Sequence, residues 1–344
     1  MELVRNTMKL YEYYENCEEA DVLVDLVDAF CQYRKENGPP RGFSSYHPSA
    51  FGHCLRNMQY LKYAENGVGG LVMPKEKMAG KILRLFDKGH NMHARWAKYF
   101  EDIGVLRGVW RCQNPLCRLI NDDGSISQIS IDEIYKNSKP RVYGKENVLG
   151  VFKPLQCMCG HTEFYYEEVL VHSDELNFHG HADMILDFSN VEYSKYSDLG
   201  FTMNLGGIPE KPIVVDMKTA NDNNFVKTKS HGPDPAYIIQ LTIYANILGC
   251  EYGVLIYENK NKSDALAFKI HKNTDTIYAD VVKQATMMKE MAKHNLLPPP
   301  RPASKDCFEC RKCLFKKVCH NSAIWDAANF EKIRKDFYGS LLFH

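Results

Sequence analysis

The run Ile213-Val214-Val215-Asp216-Met217-Lys218-Thr219-Ala220 decides the fold. Its first half is apolar at consecutive positions, so both faces of an extended segment are hydrophobic, as in a strand buried inside a sheet. At its end the pattern turns polar, with Asp216 and Lys218 two residues apart. Alternate residues of a strand share a face, so these two heads project together beyond the buried part. Upstream, YYEEVLVH (165–172) and LNFHGHADMILDF (176–188) read as strands. Downstream, YIIQLTIYANILG (237–249) has helical spacing, YGVLIYENK (252–260) is strand-like, and a helix is expected over 274–294. This order predicts an α/β core with helices packed on a mixed sheet.

Further from that strand, residues 1 to about 37 carry helical periodicity, with Val22, Leu23, Val24, Leu26, Val27, Phe30 and Cys31 on one broad face. Pro39, Pro40 and Gly42 stop it. A segment over 49–64 puts Cys54 near a helix start, and 77–101 suits one long helix or two joined near Gly89. Between Gly104 and Val169 the periodicity gives way to turn clusters such as Asn121-Asp122-Asp123-Gly124 and short β-like runs, which predicts an inserted module. A Gly/Asn/Tyr-rich excursion covers 189–212, and a Pro-rich turn at 298–302 precedes a cysteine cluster and a final helix.

A chain of 344 residues with 44% hydrophobic content can bury a full-sized core, in about two domains or in one with insertions. Lys+Arg and Asp+Glu both total 43, which excludes binding by bulk positive charge but not by a local basic channel. No apolar run is long enough for a transmembrane helix, and the acidic, amphipathic first residues do not read as a secretory signal. The expectation is a cytoplasmic protein (host cytoplasm if the gene is viral) with no membrane partner. In a reducing compartment the 12 cysteines, mostly clustered, point to metal rather than cystine.

Asp183 ends Gly180-His181-Ala182-Asp183 near a strand turn. A hard divalent cation takes carboxylate oxygens, and a neighbouring lysine can assist the attacking water or neutralise charge in a phosphoryl transition state. Asp183 followed by Asp216-x-Lys218 therefore suits phosphodiester hydrolysis, although Asp-x-Lys alone also suits an exposed ion pair. Gln240-x-x-x-Tyr244 follows about 22 residues after Lys218, on one helical turn, and Gly89-x-x-x-His93 sets an imidazole on a helix face.

In order, His93, Asp183, Asp216-Met217-Lys218 and Gln240-x-x-x-Tyr244 resemble the motifs of PD-(D/E)XK nucleases of RecB type; Asp216 stands where many members have Glu. The resemblance implies a restriction-endonuclease-like core and Mg²⁺ or Mn²⁺ held by His93, Asp183, Asp216 and the Met217 carbonyl. It further implies that Lys218 assists the water, and that Gln240 and Tyr244 orient the lysine, the metal site or the DNA backbone. Glu167 or Glu168 could add a carboxylate in a second-metal state.

Cys310-x-x-Cys313-x5-Cys319 with the distant Cys54 resembles the iron–sulfur subgroup of that superfamily, which includes CRISPR-associated RecB-like nucleases and the AddB nuclease domain. There one N-terminal and three C-terminal cysteines hold a [4Fe–4S] cluster. Cys307 leaves open a local zinc site made of Cys307, Cys310, Cys313 and Cys319. The middle set, Cys112-x4-Cys117 and Cys157-x-Cys159-Gly160-His161, reads as a zinc-ribbon-like knuckle pair, with His161 replacing a cysteine or free thiols as the alternatives. The expected domains are an N-terminal helical segment (1–44), a nuclease core (45–104 and 166–298), an inserted zinc module (105–165) and a C-terminal cysteine region (299–344) closing on Cys54.

Residues 301–320 hold six Lys/Arg against two acids, with Phe308 and Phe315 interleaved, a composition that fits a strand-binding groove or a solvated face. Lys227, Lys229 and His231 suggest a second basic stretch, expected as a loop. The candidate DNA contacts are Lys227, Lys229, Arg311, Lys312 and Lys316. The reading is a DNA exonuclease of replication, recombination or repair, working beside a helicase, integrase or recombination partner. Its rival is a non-catalytic DNA-binding scaffold on the same fold. No GxxxxGK[ST] loop is present to power unwinding.

Overall fold

The computed structural model describes residues 21–39, 42–73, 78–120, 125, 140–191, 209–298 and 308–321. Cys17, Cys307, the turn at 121–124, most of the 189–212 excursion and the final helix lie outside the described residues. The chain divides into two units, Met1–Arg41 with Lys75–Asn91, and Gly42–Pro74 with Met92–His344.

In the first unit, helix α1 (Asp21–Asn37) is tied to Gly80–Asn91 by the ion pairs Arg34–Asp87 and Arg84–Asp28. The expected apolar face of α1 forms a helix but not a core. Cys31 is buried, whereas Leu23, Val24, Leu26, Val27 and Phe30 are exposed among the described residues. Periodicity determined the helix; burial depends on a neighbour that periodicity does not identify.

In the second unit, helices α2 (Leu55–Glu65), α4 (Asp222–His231), α5 (Pro235–Ile247) and α6 (Ala279–Lys293) flank a mixed sheet; short helices α7 (Phe308–Lys312) and α8 (Lys316–Asn321) follow. Helix α3 (Gly80–Ile103) is continuous through Gly89 and contributes its second half to this unit. The sheet strands are β1 (Leu106–Cys112), β2 (Val142–Tyr143), β3 (Val151–Phe152), β4 (Phe164–Glu167), β7 (Met184–Leu186), β8 (Ile213–Ala220), β9 (Gly253–Asn259) and β10 (Ala265–Ile270). They run in the order β10–β9–β8–β7–β1–β2, with β3 and β4 also paired to β1. Strands β5 (Val169–Ser173) and β6 (Phe178–Ala182) form a separate antiparallel pair.

The doubly apolar β8 is central, as its composition requires. Val214 and Ala220 pack into a core with Leu241, Ile243 and Tyr244 of α5, while Ile213, Val215 and Met217 pack into a second core with Met92, Ala97 and Trp110. Strands β8 and β9 are parallel, so a crossover must join them, and α4 and α5 supply it. Both helices start on side-chain caps: Asn221 Oδ1 accepts from the Asn224 N–H at 2.9 Å, and Asp234 Oδ1 from the Ala236 N–H at 2.9 Å. Among the described residues, no helix is long and apolar enough to cross a membrane.

Strand β1 is closely approached at Gly108, where an added Cβ would collide with the ring of Tyr166 on β4. Gly108→Ala is therefore expected to destabilise the protein by about 1–3 kcal/mol, the usual range for overpacking a fitted site. Urea unfolding of the variant beside wild type measures this.

Candidate functional site

Two corners in the chain build the site. The predicted strand 165–172 is not continuous: it leaves the main sheet after Glu167 and enters the β5–β6 pair at Val169, with Glu168 at the bend. The second predicted strand bends in the same way at Asp183, between β6 and β7. Val169 faces Ala182, so the same register carried one residue further sets Glu168 opposite Asp183. Met184 faces Val215, and one residue further Asp183 stands opposite Asp216. Three carboxylates are thereby aligned where β7 stops and β8 continues with β9 alone.

The edge left open on β8 is satisfied by a side chain rather than a strand. The Met217 N–H donates to Asp183 Oδ2 at 2.8 Å, so a buried backbone donor keeps a partner. From the second half of α3, His93 Nδ1 lies 3.2 Å from the same oxygen. Ligand atoms of His93, Glu168 and Asp183 all fall within 4.8 Å of one another. Of the two acids left open by the sequence, Glu168 joins the site; Glu167 is taken by Arg111 on β1.

Asp216 is buried, and Lys218 Nζ lies 2.6 Å from its Oδ2. That oxygen accepts no aligned hydrogen bond, which leaves it suited to a further cation. Oδ1 accepts from Gln240 Nε2 at 3.2 Å, and the same amide nitrogen donates to the Tyr244 hydroxyl at 3.2 Å. The Lys218 ammonium also sits 4.7 Å from the centroid of the Tyr237 ring. Gln240 and Tyr244 thus hold Asp216 in place from one turn of α5.

The electrostatics match a site short of positive charge. Burial and the Asp183 carboxylate push Asp216 up to about 7, against the opposing pull of Lys218. Burial and Asp183 likewise raise Glu168, whose carboxyl is sheltered although the residue as a whole is exposed. Burial works to lower His93, but its contact with Asp183 and the charges of Asp183 and Asp216 outweigh this and raise it. Lys218 is also raised, since Asp216 and Asp183 together overcome its burial. The groups hold protons because their negative charges crowd together, a deficit that a divalent cation could relieve. One imidazole nitrogen with carboxylate oxygens is a donor set that could hold a metal ion.

Further anchoring comes from two residues that the sequence did not single out. Arg95 and Trp96 of α3 both donate to the buried Glu258 on β9. They fasten the helix beside His93 to the sheet that carries Lys218.

Two cysteine groups lie elsewhere. Cys54, the N-cap residue of α2, lines a cavity of about 280 Å³ with Cys310, Cys313 and Cys319. Burial raises the Cys313 thiol, and the nearby Cys54 and Cys319 add to the rise. Cys112, Cys117, Cys157 and Cys159 form the other group, with all four sulfurs within 4.8 Å of one another. Burial works to raise Cys157, but hydrogen bonds from the Cys159 N–H, the Tyr143 hydroxyl and the neighbouring thiols bring it down to about 6.

Two expectations about nucleic-acid contacts change. Lys227 and Lys229 are exposed on helix α4 rather than on a loop, because the Asn221 cap starts a helix there. Phe315 does not offer a free face: it is buried and stacks on Tyr60 at 5.2 Å. Arg311 and Lys312 are exposed on α7, and Lys316 on α8 is half-buried.

No family model and no curated protein matches the chain. Among solved structures it is similar to the protein SSO0001, with 14% identity and a TM-score of 0.39 over 87% of this chain and 96% of that one. It is also similar to an alkaline exonuclease from Laribacter hongkongensis, with 13% identity and a TM-score of 0.28. That match covers 38% of this chain and 57% of the exonuclease.

Proposed function

We propose that the protein is a Mg²⁺- or Mn²⁺-dependent deoxyribonuclease of PD-(D/E)XK type, acting as an exonuclease on DNA ends or single strands in replication, recombination or repair. The observation that carries this reading is the pairing of buried Asp216 with half-buried Lys218, set in register with Asp183 and Glu168 beside His93.

His93, Glu168, Asp183 and Asp216 would hold the cation. The Met217 carbonyl leaves β8 on the same edge as the N–H that meets Asp183, which suits a further ligand. When bound, the cation supplies charge to the scissile phosphate and acidifies the attacking water. Lys218 keeps its proton beside two carboxylates, so its role is to neutralise charge that develops on the phosphoryl oxygens. Gln240 keeps Asp216 aimed, and Tyr237 supports the lysine stem.

Cys54, Cys310, Cys313 and Cys319 would hold a [4Fe–4S] cluster, since the four thiols line one cavity though far apart in sequence. Lys227, Lys229, Arg311, Lys312 and Lys316 are the proposed phosphate contacts, and a helicase, integrase or recombination factor is the proposed partner. A timed digestion of end-labelled, end-blocked and circular DNA with Mg²⁺ or Mn²⁺ tests the activity. Loss of label from free ends, with blocked and circular substrates spared, is the expected result. Intact DNA in every lane would leave only the non-catalytic scaffold.

A further inference from the structure

We infer that Cys112, Cys117, Cys157 and Cys159 hold a single zinc ion, and that this centre positions Tyr166 and Glu168 at the cation site by clamping β1 to β4. The second half of the inference rests on the proposed nuclease site; the first does not.

Sulfur spacing selects the kind of centre. The Cys112 and Cys159 sulfurs are 3.7 Å apart, and those of Cys117 and Cys157 are 3.4 Å apart. A tetrahedral zinc with Zn–S near 2.3 Å requires sulfur–sulfur edges of about 3.8 Å. A disulfide would require about 2.0 Å. A cubane cluster attaches each thiolate to a different iron, which spreads the sulfurs more widely.

Each sulfur also has its own hydrogen-bond donor. The Asn114 N–H points at Cys112 Sγ (3.4 Å) and the Asn114 side-chain amide at Cys159 Sγ (3.6 Å). The Arg141 N–H points at Cys117 Sγ (3.5 Å) and the Tyr143 hydroxyl at Cys157 Sγ (3.2 Å). Four buried or half-buried sulfurs met by four donors form an arrangement that stabilises thiolates around a cation. The turn at Cys157–Gly160 is closed by the Cys157 N–H to His161 O at 2.7 Å and the Gly160 N–H to Cys157 O at 2.8 Å, with Gly160 at φ 81°. The backbone is therefore already bent into a knuckle. His161 enters this turn through its carbonyl, and the four cysteines make the ligand group.

The connection to the cation site is the β1–β4 ladder. It begins at Cys112↔Phe164, continues through Arg111↔Tyr165 and Trp110↔Tyr166, and ends at Val109↔Glu167, one residue before Glu168. Among the described residues strand β4 pairs with β1 alone, and the other strands that this module adds to β1, β2 and β3, are two residues each. So small a module has little core with which to fix that register. A metal bonded to Cys112 at one end, and to Cys157 and Cys159 just before β4, would fix it. At the other end the Tyr166 ring packs edge-on against Trp110, and its hydroxyl donates to the Asp183 carbonyl at 2.7 Å. Tyr166 and Glu168 thus reach the site from the strand that the cysteines secure.

The test uses the full chain with its other metal centres. Zinc is counted by elemental analysis in wild type, in Asp183→Ala and in Cys157→Ser/Cys159→Ser, and Mn²⁺ binding is titrated by the loss of the free-ion electron paramagnetic signal. The inference expects one zinc in wild type and in Asp183→Ala, none in the double serine variant, and Mn²⁺ binding about tenfold weaker in that variant. Tyr166→Phe, which keeps the zinc, is expected to weaken Mn²⁺ binding in the same direction. Cobalt-loaded wild type should show the visible bands of tetrahedral cobalt–thiolate, a readout that does not depend on any variant folding. Absence of zinc, or iron in its place, overturns the metal assignment. Unchanged Mn²⁺ affinity in both the zinc-free variant and Tyr166→Phe overturns the positioning role. Wild type that takes up zinc but no Mn²⁺ also overturns the positioning role, and in that case the fault lies with the nuclease reading.

Discussion

Asp216→Ala is expected to lower phosphodiester cleavage by about 10³-fold or more, with DNA binding retained. Asp216 is the group through which the site is connected. Its two oxygens meet Lys218 and Gln240, and its charge acts on His93. Removing it deletes a proposed cation ligand and the partner that keeps Lys218 in line, while the exposed lysines of α4 are untouched. The fold should tolerate the change, because the Asp216 charge opposes folding at neutral pH. Its folded pKa, about 7, lies above the 3.8 of an ordinary Asp, so the contribution it makes in acid is lost as pH rises through that interval. His93 acts with the same sign, since its folded pKa is raised above 6.5. In wild type without a cation at this site, the contribution of Asp216 and His93 to the melting temperature is therefore expected to fall along a slope from about pH 5 to 8. Saturating Mn²⁺ should flatten that slope, and Asp216→Ala should reduce it. Melting curves across the pH series, beside cleavage rates and a filter-binding assay, measure both effects.

The second large effect is expected at the other cysteine cavity. Cys313→Ser should abolish the brown colour of a [4Fe–4S] protein and lower the melting temperature by about 10 °C or more. A centre joining Cys54 to Cys310, Cys313 and Cys319 closes a very long loop, which by analogy with disulfide closure stabilises the fold by on the order of 5 kcal/mol. The C-terminal segment rests on α2 through a small core of Tyr60, Tyr63, Ala64, Leu297 and Phe315, with Cys313 and Cys319 at its margin. The Tyr63 hydroxyl adds a bond to Leu296 O at 2.6 Å. So little apolar contact would leave the segment dependent on the proposed centre. DNA binding should weaken along with stability, while Mn²⁺ binding at His93, Glu168 and Asp183 persists. An absorbance spectrum and a melting curve of the variant suffice to measure the first two changes.

Much of the central strand was legible because local chemistry and burial agree there. An eight-residue strand whose first half is apolar on both faces and which then reads Asp-x-Lys has few structural solutions, and β8 is the expected one. Residues Gln240 and Tyr244 were legible for the same reason: helical spacing alone brings them onto one turn, where they share a hydrogen bond. The choice of Glu168 over Glu167 was not legible. Both fit a strand, and only the corner between two sheets sends one carboxyl to Asp183 and the other to Arg111. The breaks at Glu168 and Asp183 were hidden because the flanking residues keep β-like alternation on both sides of each bend. Phe315 among basic residues resembled a base-stacking ring, but Tyr60 lies more than 200 positions away in sequence and no local pattern announces the pairing. Strand β10 gave no signal because it is short and edge-like: every second residue of Ala265–Ile270 is exposed, and most of the others are only half-buried.

The most direct test is a crystal of the full chain soaked in Mn²⁺, with anomalous difference density collected at the manganese edge. A peak is expected within bonding distance of His93, Glu168, Asp183 and Asp216, beside the Lys218 ammonium. No peak at that position, or manganese bound elsewhere while those four side chains stay apart, would contradict it.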